Sequence, residues 1–254
     1  MDYSVYKTGK FLSDSDTKLI CPDCNTGHLI AKEKNIKKIE YKKYNEDVLA
    51  TEDYDIDWLK YAFHGFLQCD NKRCNEKIVV SGHLRLNYGS YESPYVEDEY
   101  IEINEEICYP QYFEKPPRII EIDDKYPPDI QEILFSSFSL FWIDKASCAN
   151  RLRFCIEKML DLFQVPKKQK TKKGLMPLSL HHRIVRFCKG NDKYQKILTA
   201  AKWIGNTGSH SDKVNANNLL NGYRLINYML KELYINEEKE IIELSKKINK
   251  TKGR

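Results

Sequence analysis

Apolar residues recur along this chain with two different periods, and the change of period divides it. From Asp129 onward they fall three and four residues apart, the repeat that lays a stripe along one face of an α-helix. Ile133, Leu134, Phe138 and Phe141 make the first stripe, with Asp129 as its cap and Pro127 and Pro128 outside it. A second runs from Ala149 through Leu152, Ile156 and Leu160 to Phe163, and Arg153 and Glu157 on it stand one turn apart, close enough to pair. A third helix spans Ser179 to Cys188 and a fourth Tyr194 to Ile204. Gly205 to His210 then reads as a break, with Gly205 ending the fourth helix in a left-handed conformation. A long fifth helix starts near Ala216, capped by Asn215, and a charged helix from Glu237 closes the chain. Short connections between such stripes predict an antiparallel bundle.

Before Asp129 the pattern is not helical. Ile78, Val79 and Val80 read as strand, and residues 21–30, CPDCNTGHLI, as a tight knuckle followed by a strand. Residues 1–20 read as a loosely held arm. Residues 88–128 concentrate tyrosines and the pairs Pro116–Pro117 and Pro127–Pro128, which suits a connector with short strands.

Two residues separate Cys21 from Cys24 and four separate Cys69 from Cys74, each pair among turn formers such as Pro22, Gly27, Asp70 and Asn71. Two short turns that each present two thiolates match the tetrahedral preference of Zn²⁺. One structural Zn²⁺ is expected, with no coordination position left for water. His28, His64 and His83 lie near this unit, but four thiolates already saturate the metal. Cys108, Cys148, Cys155 and Cys188 have apolar or helical neighbours and read as core. The expected fold class is α+β. Residues 1–126 form a small β-rich, zinc-ribbon-like domain with its Pro/Tyr-rich connector, and residues 127–254 an all-α antiparallel bundle. The start of the sequence has no apolar leader, and the longest near-apolar run, Ile133 to Ile143, contains three serines. A reducing, cytoplasmic setting is expected.

Charge deepens the division. Residues 1–150 carry 18 Lys and Arg against 28 Asp and Glu, a net of −10, whereas residues 151–254 carry 23 against 9, a net of +14. A basic half attracts polyanions through counterion release. Within it, Lys167, Lys168, Lys170, Lys172 and Lys173 lie on what reads as an exposed loop, suited to non-specific phosphate contact. The acidic half suits a basic partner protein or the chain's own basic half.

The segment AAKWIGNTGSHSDKVNANN holds the candidate chemistry. Asn206, Ser209 and His210 are expected together at the break before the fifth helix, where exposed N–H groups would receive a phosphate and His210 would exchange protons near neutral pH. Lys202 or Lys213 would hold the anion. The same residues also suit an internal lock, with His210 bonded to Asn206. No Walker lysine loop, dinucleotide glycine fingerprint or paired-carboxylate nuclease motif is present, which sets aside ATPase, dehydrogenase and metal-nuclease classes.

RLRFCIEKML, with Arg153 and Glu157, and GNTGSH, with Asn206 and His210, resemble the two signature elements of the DUF4145 family, a helical family grouped with the HEPN superfamily. The resemblance covers residues from about 127 to 235, and a Cys-rich zinc unit also precedes such domains. It implies an HEPN-like bundle. Active members of the wider group resemble metal-independent endoribonucleases built on an Arg-Asn-x-x-x-His pattern, in a homodimer cleft. On this chain the asparagine is Asn206, the histidine His210, and the arginine position is Gly205, which removes the guanidinium fork suited to phosphate. Lys202, one turn earlier, would substitute only as a point charge. The resemblance therefore implies a non-catalytic or degenerate HEPN-like zinc protein that binds RNA or DNA, or a defence-system protein, in bacterial anti-phage defence or restriction. Two alternatives stand beside it. One is a metal-independent endoribonuclease using His210, Asn206 and Lys202, and the other a scaffold built on the opposed charges.

Overall fold

Burial along the strands alternates as a pleated, one-sided sheet requires. Ile78, Val80, Leu84 and Leu86 point into a core while the residues between them are more open. The computed structural model describes residues 3–92, 100–172, 174–210, 214–235 and 237–252, with side chains described outside 89–92, 100–104, 207–210 and 237–240. Two units result, Met1–Arg118 with Phe141–Ile143, and Ile119–Leu140 with Asp144–Arg254.

The first unit runs α1 (Ser4–Thr8), β1 (Phe11–Leu12), β2 (Ser15–Ile20), β3 (His28–Ala31), β4 (Ile36–Glu40), α2 (Lys42–Leu49), β5 (Tyr61–Cys69), β6 (Lys77–Glu92) and β7 (Tyr100–Phe113). All seven strands join one sheet in the order β1-β7-β6-β5-β3-β2, with β4 also beside β5, and every pair is antiparallel. The end strands β1 and β2 meet each other, so the sheet curls nearly into a barrel. Two expectations are corrected. Residues 3–20 are not a loose arm, because Tyr6 is 1% exposed and donates from its hydroxyl to the Arg118 carbonyl at 2.9 Å. The stretch from residue 88 is not a connector of short strands but much of a 16-residue and a 14-residue strand. Pro110 is tolerated inside β7 because it lies at a β-bulge, where pairing jumps from Ser81↔Tyr112 to Gly82↔Pro110 and leaves Gln111 over.

The second unit contains α3 (Pro128–Ile143, its last turn excepted), α4 (Lys145–Leu162), the hairpin β8 (Lys168–Thr171) and β9 (Gly174–Pro177), α5 (Leu180–Cys188), α6 (Asp192–His210), α7 (Ala216–Leu230), a wider π turn at Lys231–Ile235, and α8 (Glu237–Thr251). Side-chain caps open four of these helices: Asp144 accepts from the Ser147 N–H at 3.0 Å, Ser179 from His182 at 3.3 Å, Asn191 from Tyr194 at 3.2 Å and Asn215 from Asn218 at 2.9 Å. Asp129 is not a cap. Pro128 starts α3, and Asp129 pairs with Lys158 at 2.7 Å instead. In the core the Tyr223 hydroxyl donates to the Ser137 oxygen at 2.8 Å and lies 3.2 Å from the Cys148 sulfur.

Gly205 does not end a helix. It sits inside α6, where a Cβ would stand 2.6 Å from the Arg153 Cβ and 3.1 Å from its backbone on α4. The missing side chain is a packing requirement that lets α4 and α6 approach, not a left-handed stop. A Gly205→Ala exchange gains up to about 1 kcal/mol of helix propensity but overpacks this contact at roughly 1–3 kcal/mol. We expect net destabilisation, read as faster amide hydrogen exchange in α4 and α6. Unchanged or slower exchange would show that the approach constrains nothing.

Candidate metal centre and basic hairpin

The metal-ligand residues stand where strands stop. Cys21 follows β2, and the chain turns back through Cys24 and Asn25, whose φ of 57° is left-handed. The turn is closed by Asn25 N–H to the Cys21 carbonyl at 3.0 Å and Cys21 N–H to the Gly27 carbonyl at 2.9 Å. The second knuckle repeats this arrangement with Asn75 at φ 50° and its N–H on the Asn71 carbonyl at 2.8 Å. Asn71 thus takes the turn position that Cys21 holds in the first knuckle. The ligand Cys69 comes from the last residue of β5, two positions earlier, which explains the wider spacing to Cys74. Asp70 ties the knuckles together, its carboxylate accepting the His28 N–H at 2.8 Å while its own N–H donates to the His28 carbonyl at 2.9 Å.

All four ligand sulfurs lie within 4.8 Å of one another, Cys21 and Cys74 at 3.8 Å and Cys24 and Cys69 at 3.7 Å. A tetrahedron with metal–sulfur bonds of about 2.3 Å requires sulfur edges of about 3.8 Å, whereas a disulfide would need about 2.05 Å. The residues fit a four-thiolate Zn²⁺ site. Zinc there would supply cross-linking rather than catalysis. Burial opposes ionisation of Cys24, but the Thr26 hydroxyl and the N–H groups of Thr26 and Gly27 draw its thiol down to about 6. Burial pushes Cys21 and Cys69 up, and the neighbouring thiols add to this at Cys69. Metal binding must therefore displace protons. None of His28, His64 and His83 joins the cluster among the described residues. Burial pushes Cys108, Cys148 and Cys155 up to about 12, as fits inert core thiols.

Gly27 is the supporting residue that motif spacing underrates. A Cβ there would lie 2.4 Å from the Cys69 sulfur and 2.8 Å from the Asp70 carboxylate.

The lysine-rich segment is a hairpin, not a loop. Lys168 and Lys170 are exposed on one face of β8 and Lys172 is exposed in its turn, while Lys173 lies outside the described residues. Lys167 is committed elsewhere, to Asp161 at 2.8 Å. Asp161 also meets the Arg183 guanidinium at 2.6 Å, and that guanidinium, on a residue 5% exposed, donates to the Val165 carbonyl at 3.0 Å. Arg186 donates to Gln169 at 3.0 Å and adds a cation beside the hairpin. Arg183 was legible only as a charge at an inward position of an amphipathic helix.

The expected break before the fifth helix is corrected, while the pocket expected there falls on side chains outside the described ones. Asn206 to His210 form the carboxyl end of α6, where a helix offers carbonyls rather than N–H groups. Asn206 is partly exposed, and the side chains of Thr207, Gly208, Ser209 and His210 lie outside the described ones, as does Lys213 entirely. Lys202 is 6% exposed, with Nζ 3.8 Å from the Trp203 ring centre, and burial, then the charge of Arg153, lowers its pKa. Arg153 in turn pairs with Glu157 at 3.1 Å.

Residues 9–113 match the family described as Domain of unknown function (DUF8608), and residues 136–251 match Domain of unknown function (DUF4145). No curated protein and no solved structure matches the chain. Both knuckles fall inside the first match, and α4 to α8 inside the second.

Two outcomes follow from this geometry. Elemental analysis of chelator-free protein should find about one zinc per chain, and Gly27→Ala should lower that content without removing a ligand. Less than half an equivalent in the wild type would exclude the site. Asp161 sets a pH dependence: partial burial raises its carboxyl, but Lys167 and Arg183 hold it below the ordinary value. Its contribution is complete above the unfolded pKa of about 3.9 and is lost as pH falls through the lower folded value. Hydrogen exchange at the hairpin base should accelerate on acidification through that window, and Asp161→Asn should remove the step.

Proposed function

We propose that this chain is a non-catalytic, HEPN-like zinc protein that binds nucleic acid through the β8–β9 hairpin. The observation that carries the reading is the hairpin itself, with Lys168 and Lys170 on one exposed face, Lys172 at its turn and Arg186 beside it. The buried Arg183, paired with the half-buried Asp161, anchors its base. Cations on a braced strand meet a phosphate backbone at lower entropic cost than cations on a loose loop. The basic balance of residues 151–254 supports the same reading by attracting polyanions over distance. Zinc acts in it as a zinc-ribbon-like clamp of the first unit.

Catalysis is disfavoured on steric grounds. In the resemblance to active HEPN members an arginine precedes Asn206, and here Gly205 packs against Arg153 so closely that no side chain fits without moving α4. Lys202 is desolvated and stacked on Trp203, a poor substitute for a phosphate-facing fork. The cytoplasm, a role in anti-phage defence or restriction beside a defence-system protein, and a homodimer through the helical unit complete the proposal. Eight free cysteines fit a reducing setting, and among the described residues no helix is long and apolar enough to cross a membrane.

The test is a salt titration of binding to labelled RNA and DNA with the full chain. Neutralising Lys168, Lys170 and Lys172 to glutamine should weaken binding across sequences. It should also flatten the slope of log affinity against log salt by about 0.7 to 0.9 for each phosphate that the variant no longer neutralises. An unchanged slope would remove the hairpin from the interface. In a parallel RNA-cleavage assay in EDTA the wild type should be inactive, and robust activity abolished by His210→Ala would establish the endoribonuclease instead.

A further inference from the structure

We propose that a groove in the β-rich unit is a second, chemically distinct binding site, one that takes unpaired bases of a single-stranded nucleic acid. It rests on the nucleic-acid reading above but belongs to the other unit and reads bases rather than phosphates. The groove has a volume of about 670 Å³ and draws its walls from α2 and its cap, the turn at Ile56–Trp58, and strands β5, β6 and β7. Tyr41, Tyr44, Trp58, Tyr61 and Tyr109 line it, with Lys60, His83 and Arg85 as the basic groups and Asp57 as the one carboxylate of its lining.

Three observations point to that ligand. First, large rings are left in water: Trp58 is 51% exposed, Tyr41 45% and Tyr44 41%. Aromatic faces presented together are stacking platforms that accept any base. Second, the walls are braced from behind. Asn45 is fully buried in α2, accepts the Lys60 N–H at 2.8 Å and donates to the Lys60 carbonyl at 3.0 Å. That two-way bond holds the helix carrying Tyr44 against the entry to β5, so the platform is formed before any ligand arrives. Third, charge selects the class of ligand. Lys60 lies 3.9 Å from the Tyr44 ring centre and Arg85 5.6 Å from that of Tyr109. His83 and Tyr109 are directly paired across β6 and β7, and Arg85 shares their face two residues on. These cations repel a quaternary ammonium, which would otherwise suit a cage of tyrosine and tryptophan. They complement phosphates flanking a stacked base. A duplex keeps its bases paired and cannot offer their faces, so the strand must be single.

The test uses the full chain and a fluorescent oligothymidine of about ten nucleotides, beside an abasic strand of equal length, the corresponding duplex, a mononucleotide and a trimethyl-lysine peptide. The oligothymidine should bind more tightly than the other four. Trp58→Ala and Tyr44→Ala should weaken it by about 5- to 100-fold, towards the abasic value, with zinc content unchanged, while Tyr44→Phe, which keeps the ring, should retain binding. The hairpin glutamine variants should weaken the oligothymidine and the abasic strand alike and preserve their ratio. A surviving ratio with an unchanged salt slope would sink the hairpin and keep the groove. Equal binding of oligothymidine and abasic strand with a flattened slope would sink the groove and keep the hairpin. The groove proposal also falls if the duplex or the mononucleotide binds as tightly as the oligothymidine. It falls too if the peptide is the ligand whose binding the ring deletions abolish.

Discussion

Four sulfurs must converge to less than 5 Å in the β-rich unit, and that convergence sets how its strands are joined. Cys21 and Cys24 close the β2–β3 hairpin, Cys69 and Cys74 the β5–β6 hairpin, and β3 pairs with β5 between them. Four thiols brought together without a metal would oppose their own ionisation, and at Cys69 the neighbouring sulfurs add to the upward push that burial already gives. A Zn²⁺ held there would turn that repulsion into attraction and would contribute its binding free energy to folding. The register fixed at the knuckles extends along the same strands. β5 begins with Tyr61 and ends with Cys69, a span of roughly 26 Å at about 3.3 Å per residue. The cysteine cluster thus marks one end of the strand whose other end forms the aromatic groove.

The helical unit rests on a different constraint, close approach of backbones. Gly205 on α6 meets Arg153 of α4, and a Cβ on Gly222 of α7 would lie 3.0 Å from Leu152 and 3.2 Å from Ile204. Each glycine forfeits helix propensity in exchange for contact between helices. The approach at Gly205 leaves no room for a side chain unless α4 moves. Arg153 contributes its stem to this packing and its charge to Glu157.

Local arrangement, rather than net charge, determines what each surface can hold. The first 150 residues are acidic overall, yet their groove gathers Lys60, His83 and Arg85 around one carboxylate. The basic carboxyl-terminal portion spends some of its cations internally: Lys167 and Arg183 on Asp161, Lys158 on Asp129, and Lys202 against Trp203. What remains on the hairpin is a compact set of exposed charges on a braced support.

The sequence alone determined the features that depend on neighbours a few residues away. The paired cysteines, the cap at Asn215, and the apolar stripes of α4 and α7 are legible because knuckles and helix faces are built from residues a few positions apart. Tertiary structure alone decided the rest. Gly205 has the same local appearance whether it ends a helix or admits a neighbouring one, and only the position of Arg153 separates the two. Pro110 argues against a strand until the bulge opposite Gly82 accommodates it. The lysine segment becomes a hairpin because Asp161 and Arg183, 22 residues apart, close its base. The aromatic groove collects residues from Tyr41 to Tyr109, a separation across which periodicity carries no information. Those rings face one space only because Asn45 and the sheet register bring them there.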